Sequence, residues 1–395
     1  MMETKTIREL CDIVVDCPHS TPKWTTSGKI VIRNNNIKKG RIDFSSPSYT
    51  DDEHFNLRVK RAIPRSGDII ITREAPMGEV GMIPERIECC LGQRMVLLRT
   101  NPDICDNYYL LYSLQSKFVQ HQISWSEGTG TTVSNLRIPH LEQLKIPYVP
   151  LKKQRLVASV LKSIEEKIIL NEQINNNLLQ QASSIFKAWF IDPDISEHED
   201  WQMVTLEDIT SLVTRGIAPK YSDESDQIVI NQKCIRDHML DLSPARKHLP
   251  KKINEKWLKK GDLLINSTGQ GTLGRAAQIW FDPVNMTVDS HVTIVRPKNE
   301  KLIYYIGIWG ILHEREIESL HTGSTGQTEL PRDRVKGLEL LLPDENALDQ
   351  FNSVVKPITE FIISNQNENI RLADLRDSLL PKLMSGEIDV SDINF

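Results

Sequence analysis

The chain has 395 residues, 39% of them apolar and 26% charged, which fits a soluble globular protein with apolar material for two or more cores. A net charge of −5 argues against a general nucleic-acid glue, and the longest strongly apolar run, LIYYIGIWGIL at 302–312, falls short of the roughly 20 residues that a membrane span needs. The six cysteines make no C-x-x-C pair and no cluster with histidines, so they read as reduced thiols of a cytoplasmic protein and not as a disulfide framework or a zinc site. The opening MMETKTIREL has no apolar core segment, and no secretory signal is expected.

Residues 1–150 carry 19 Lys and Arg against 17 Asp and Glu. Their short β-rich runs DIIITRE, RMVLLRT and LKIPYVP are separated by Gly, Pro, Asn and Asp, with a helical pattern at 107–123 between them. This is an α+β domain. From Gln154 to Ile191 there is neither Pro nor Gly, and steps of four and three pick out Val157, Leu161, Ile164, Ile168, Asn171, Asn175, Leu178, Ala182, Ile185 and Trp189. That is the seam of a long coiled-coil helix, placed at 151–198 together with a linker. Phe186, Trp189 and Phe190 at its end are expected to pack into a core.

Residues 199–343 repeat the α+β pattern with DLLINST, HVTIVRP and LELLLP. Residues 344–395 then repeat the helix, through Phe351, Val355, Ile358, Ile362, Asn365, Asn369, Leu372, Arg376, Leu379 and Leu383. Pro357 and Pro381 predict a kink or break at each. The last segment holds 10 Asp and Glu against 4 Lys and Arg, and its acidic tail from 387 reads as a solvated end.

A shift of 194 lays Gly67–Ile71 on Gly261–Ile265, and Leu136, Leu144 and Ile146 on Leu330, Leu338 and Leu340. The chain is therefore two diverged copies of one unit. The expected fold is two tandem α+β domains separated and held apart by two long antiparallel coiled-coil helices, related by a pseudo-twofold internal duplication. Antiparallel pairing about the midpoints sets Asn171 opposite Asn369 and Asn175 opposite Asn365, a polar layer that fixes register at some expense of stability. The sequence leaves a parallel arrangement open.

The stretch from 147 to 194 resembles the central region of specificity subunits of Type I restriction–modification systems. The matching residues are Ile146-Pro147, Gln154, the asparagines of 171–177 and Phe186-Lys187-Ala188-Trp189-Phe190. GDIIITREAPMGEVGMIPE (67–85) with LGQRMVLLRT (91–100) is similar to that family's first target-recognition domain, and LRDSLLPKLMSGEI (375–388) to its second conserved region. The resemblance covers nearly the whole chain. It implies a non-catalytic subunit whose two recognition domains each read one half of an asymmetric split target in double-stranded DNA, with the helices setting the spacer. It further implies docking of two modification (methyltransferase) subunits and of restriction (translocase and endonuclease) subunits. S-adenosylmethionine, ATP and Mg would then belong to those partners, and no cofactor or membrane to this chain.

Base readout favours Arg, Lys, Asn and Gln, which reach base edges in the major groove. The candidates in the first copy are Arg33, Asn34, Asn35, Asn36, Lys38, Lys39, Arg73, Gln93 and Arg94. The second copy offers Asn231, Gln232, Lys233, Arg236, Ser267, Gln270 and Arg275. Two Gly/Thr-rich loops add Thr129, Thr131 and Thr132, and Ser324, Thr325 and Gln327, as donors to phosphates or bases. Gly269-Gln270-Gly271-Thr272-Leu273-Gly274 satisfies G-x-G-x-x-G, but RAAQIWF after it reads as a strand, so a hairpin turn is expected and not a pyrophosphate cradle. No methyltransferase motif of the N/D-P-P-[FY] type, no G-K-[ST] loop and no metal or acid–base pair is present, and no catalytic or metal-binding residue is assigned. The alternatives are a coiled-coil scaffold with two ligand-binding end domains, and an enzyme with an unrecognised site.

Overall fold

The structure is a computed structural model that describes residues 3–38, 40–125, 135–193, 199–249, 252–323 and 328–388. It divides into two compact units, one of residues 1–169 with 369–395, the other of residues 170–368. The boundary cuts both long helices, so each unit holds one α+β domain and a segment of each helix.

In the first unit a four-stranded antiparallel sheet runs in the order Cys11–Asp16, Met95–Thr100, Ile69–Thr72, Val80–Met82. A three-stranded sheet joins Ser48–Thr50, Lys29–Ile32 and Cys89–Leu91, the last two parallel. Thr4–Thr6 pairs with Lys145–Pro147, and Ile37–Lys38 with Arg41–Ile42 in a small hairpin. The fully buried run Ile69, Ile70 and Ile71 explains why DIIITRE is a strand: β-branched residues fill both faces of a central position. Asp106 caps helix Asn107–Gln115, its Oδ1 accepting from the Tyr109 N–H at 3.0 Å.

The second unit repeats this topology. Its main sheet runs Thr210–Arg215, Val292–Pro297, Leu263–Asn266, Ala276–Gln278, and its three-stranded sheet Arg246–Lys247, Ile228–Ile230, Met286–Val288. Gln202–Thr205 pairs with Glu339–Leu342, and Ile235–Arg236 with Met239–Leu240. Specific contacts repeat as well. Arg99 Nε and Nη2 hold both carboxylate oxygens of buried Asp68, at 2.8 and 2.7 Å, and Arg296 holds buried Asp262 in the same bidentate way, at 2.7 and 2.7 Å. The Tyr109 hydroxyl donates to the Pro147 carbonyl, and the Tyr305 hydroxyl to that of Leu341. Two copies of one α+β unit account for this.

The long helices are Leu151–Phe190, 40 residues, and Glu345–Ser385, 41 residues. The second runs unbroken through Pro357 and Pro381, which corrects the expected break. Each proline forfeits one backbone hydrogen bond, but the flanking seam residues Val355, Ile362, Leu380 and Leu383 are buried and hold the helix in place. In both units the helices are antiparallel. In the first, Glu165 bonds Arg376 and the Ile168 carbonyl accepts from Asn369; in the second, Asn171 bonds Glu368 and Asn175 bonds Asn365. As the first helix rises, its partner falls.

The seam agrees with the heptad pattern as far as Asn175; beyond it Ala182 keeps its place, but the other buried positions shift by one. Leu179, Phe186 and Phe190 are buried, whereas Leu178, Ile185 and Trp189 only pack against that core. A straight helix drifts about 20° per heptad against a 3.5-residue repeat, and here the residues beyond Asn175 turn toward the domain core. Phe186 and Phe190 meet Tyr305 there with ring centroids 5.1 Å apart in each case. Gln154, fully buried, shows why glutamine leads the first helix. Its Oε1 accepts from Asp106 N at 2.9 Å, and its Nε2 donates to the Ile104 and Val149 carbonyls at 3.0 and 2.8 Å.

Candidate nucleic-acid interface

Several candidates that are far apart in sequence meet at the end of the central strand of the first domain. Strand Ile69–Thr72 delivers Arg73 and Glu74, the loop after Lys29–Ile32 delivers Asn34, and the approach to Met95–Thr100 delivers Arg94. The Glu74 carbonyl accepts from Asn34 Nδ2 at 2.6 Å, its carboxylate Oε1 accepts from Asn135 Nδ2 at 2.6 Å, and Arg94 Nε lies 3.3 Å from its Oε2. Arg94 occupies the left-handed region at φ +66°, with its carbonyl accepting from Arg73 N at 2.8 Å. Its side chain is 55% exposed and that of Glu74 is 21% exposed.

Three candidates are corrected by their surroundings. Arg73 is enclosed, donating to Asp16 Oδ2 at 2.8 Å, the Leu136 carbonyl at 2.9 Å and Asn135 Oδ1 at 3.2 Å. Its guanidinium is committed inside the protein, 11% exposed and facing a carboxylate that is itself only 16% exposed. Asn36 is buried and closes its own turn, accepting from Arg33 N at 2.9 Å and donating to the Asp43 carbonyl at 3.0 Å. Ser267 is fully buried, its hydroxyl shared with that of Thr293 at 2.6 Å.

Around the same cluster, Asn35, Lys38 and Arg33 are exposed, and the Arg33 guanidinium lies 5.3 Å from the Trp24 ring centroid. Gln93 donates to the His19 carbonyl. Lys39, Thr129, Thr131, Thr132, Ser324, Thr325 and Gln327 lie outside the described residues.

The second domain builds an equivalent cluster from different side chains. Strand Leu263–Asn266 ends in Ser267 and Thr268, and the Thr268 hydroxyl meets His291 Nδ1 at 2.8 Å and Gln232 Oε1 at 3.4 Å. The Gln232 carbonyl accepts from Asn266 Nδ2 at 3.1 Å. The role of Arg73 passes to Arg215 on the edge strand Thr210–Arg215, two places from Leu263–Asn266 in the sheet, which pairs with Glu329 and donates to the Leu330 carbonyl at 2.8 Å. Asn231 closes a turn, accepting from Lys233 N at 2.9 Å and donating to the Pro244 carbonyl at 2.7 Å. Lys233, Arg236 and Gln270 are exposed and Arg275 is half-buried.

Glu74, Asn135, Thr268, His291 and Glu329 were not among the sequence candidates. A search for donors passes over Glu74, although it directly follows Arg73 and a carboxylate is the natural acceptor for a cytosine amino group. The segment Gly269–Gly274 turns between antiparallel strands Leu263–Asn266 and Ala276–Gln278, with φ of +104°, +71° and +84° at its glycines. A strand follows it, so it offers no helix N-terminus to a phosphate. Among the described residues no group of His, Cys, Asp and Glu could hold a metal ion, and no helix is long and apolar enough to cross a membrane.

The sequence and the fold have counterparts among known proteins. A family profile described as the Type I restriction modification DNA specificity domain matches residues 2–180 and again 198–372. The MjaIX specificity subunit of Methanocaldococcus jannaschii is 24% identical, over 96% of this chain and 88% of its own length. The HindI specificity subunit of Haemophilus influenzae is 20% identical, over 84% and 88%. The crystal structure of a Type I restriction–modification S subunit from M. genitalium shares the fold, with a TM-score of 0.53 at 17% identity, covering 97% of this chain and 96% of that one. With both copies of its unit matched, the chain belongs to the Type I restriction–modification DNA specificity family.

Proposed function

We propose that this chain reads a bipartite, asymmetric DNA target without catalysing a reaction, each strand-end cluster facing one half-site. The observation that carries the reading is the contrast between scaffold and tip. The Asp–Arg pair, the tyrosine-to-carbonyl bond and the sheet order are the same in the two domains, whereas the tips carry Asn34, Glu74 and Arg94 in one and Gln232, Thr268 and His291 in the other. A common fold with different polar groups at one place is what two readers of different sequences require.

In this reading the antiparallel helices set the unread spacer, and their exposed faces receive two modification subunits, which restriction subunits then join in the cytoplasm. Val354 and Phe361, exposed and seven positions apart on the second helix, are apolar side chains with which a docked helix could pack. S-adenosylmethionine, ATP and Mg act on those partners.

The test is nuclease footprinting of the complex formed with the modification subunits. Two protected patches with an accessible or sequence-indifferent gap are expected. A single continuous patch, or methyl transfer by this chain alone, overturns the reading.

A further inference from the structure

We propose that Glu74 and Arg94 act together as the reader of one C·G base pair, so that the half-site of the first domain contains a cytosine–guanine pair that it cannot exchange. The inference rests on the DNA-reading role and assigns chemistry within it. In the major groove guanine presents two acceptors, O6 and N7, and cytosine one donor, the N4 amino group. Arg94 Nε lies 3.3 Å from Glu74 Oε2 and the Arg94 side chain is 55% exposed, so its guanidinium reaches solvent beside the carboxylate. An exposed guanidinium presents two parallel N–H groups, which can bond O6 and N7 of guanine side by side. The left-handed backbone of Arg94, pinned by the Arg73 N–H, fixes where the fork is presented.

Glu74 complements this. Asn135 and Arg94 hold its carboxylate from two sides, and Asn34 holds its carbonyl, so it is positioned before any ligand arrives. A carboxylate is repelled by phosphates, which makes Glu74 a poor general contact to DNA. It is a good discriminator, since it accepts from cytosine N4 and opposes the acceptors that thymine and guanine present there. At the positions of Glu74 and Arg94 the second domain carries Thr268 and His291, and the carboxylate beside them, Glu329, is paired with Arg215, so the C·G requirement belongs to the first half-site alone.

The experiment uses the full chain in complex with its modification subunits and measures binding to fluorescein-labelled duplexes. These carry the target found from the methylation pattern, and each position in turn is replaced by the other three base pairs. Wild type should disfavour replacement of one C·G pair by about tenfold to hundredfold. Arg94→Ala should reduce that discrimination to about threefold or less at this position only. Glu74→Gln, whose amide fits adenine, should shift tolerance at the same position toward adenine. His291→Ala should alter only the other half.

Relaxation at one shared C·G position in both variants supports the proposal. An unchanged preference in either variant overturns it, as does an equal loss across all duplexes, which marks a phosphate contact or a positioning role. A wild-type complex with no bipartite preference is a different result, because it removes the DNA-reading role itself.

Discussion

Asn365 Nδ2 donates to Asn175 Oδ1 at 2.8 Å, and the two side chains are 5% and 2% exposed. Around them Asn175 also donates to the Ile362 carbonyl at 3.3 Å and Asn171 to Glu368 at 2.7 Å, while in the other unit Asn369 donates to the Ile168 carbonyl at 3.3 Å. Asparagine in a helix seam is thus answered by polar groups of the other helix, and only one register supplies them. Asn175→Leu alone strands the Asn365 amide and should cost about 1–3 kcal/mol in chemical denaturation. Asn175→Leu with Asn365→Leu should recover that loss while admitting alternative registers, seen as doubled resonances of the helix pair. A double variant with the single variant's instability and one set of resonances would contradict the register role.

Glu165, 14% exposed, accepts from Arg41 at 2.6 Å and from Arg376 at 2.9 Å, joining the first domain's small hairpin to both helices. Glu165→Ala removes the acceptor that Arg41 and Arg376 share, while Arg376 keeps Asp377, and should destabilise the protein by about 1.5–3 kcal/mol. Thr359 stands at the equivalent position of the second copy, a neutral side chain that donates to the Lys356 carbonyl of its own helix and meets the Tyr304 hydroxyl. Thr359→Ala should therefore cost about 1 kcal/mol or less. Equal losses, measured as denaturation midpoints, would contradict the asymmetry.

All six cysteines are buried and free. Burial pushes the Cys11 and Cys89 thiols up to about 12, and those of Cys90 and Cys234 to about 11. Since the thiolate is the nucleophile, native protein at pH 8 should resist a thiol reagent such as Ellman's, and denatured protein should titrate all six. Rapid labelling of native protein would show that one of these cores opens.

His238 lies 3.1 Å from Glu314, and that hydrogen bond holds its pKa above the ordinary histidine value of 6.5, against the opposing effect of burial. The folded pKa is raised, so the pair's contribution to stability is full below pH 6.5 and fades as pH rises through the folded value. Nuclear magnetic resonance titration should place His238 above 6.5, and Glu314→Gln should move it down. A midpoint unmoved by that change would break the link.

The duplication and the helices were legible in sequence because both are written in periods: a shift of 194 residues, and apolar steps of three and four. The drift to Leu179, Phe186 and Phe190 was not, since the domain core and not the heptad decides which face is covered beyond Asn175. Nor was the continuity of the second helix through Pro381, where tertiary packing outweighs a local penalty. At the candidate interface the sequence points to Asn34 and Arg94, but nothing in it sets Arg73 and Ser267 apart from exposed groups, because burial depends on strands far away in the chain. Glu74 and Asn135 lie 61 positions apart and become partners only when the strand end closes over them.

The most direct measurement is sequencing of methylated bases in cells that express this chain with its modification subunits. Two different short half-sites separated by a fixed gap are the predicted result. A four-residue insertion after Asn175 in the first helix, matched by one after Asn365 in the second, should lengthen the gap and leave both half-sites unchanged. A palindromic or continuous motif, or a gap indifferent to the paired insertion, would contradict two readers held at a set distance.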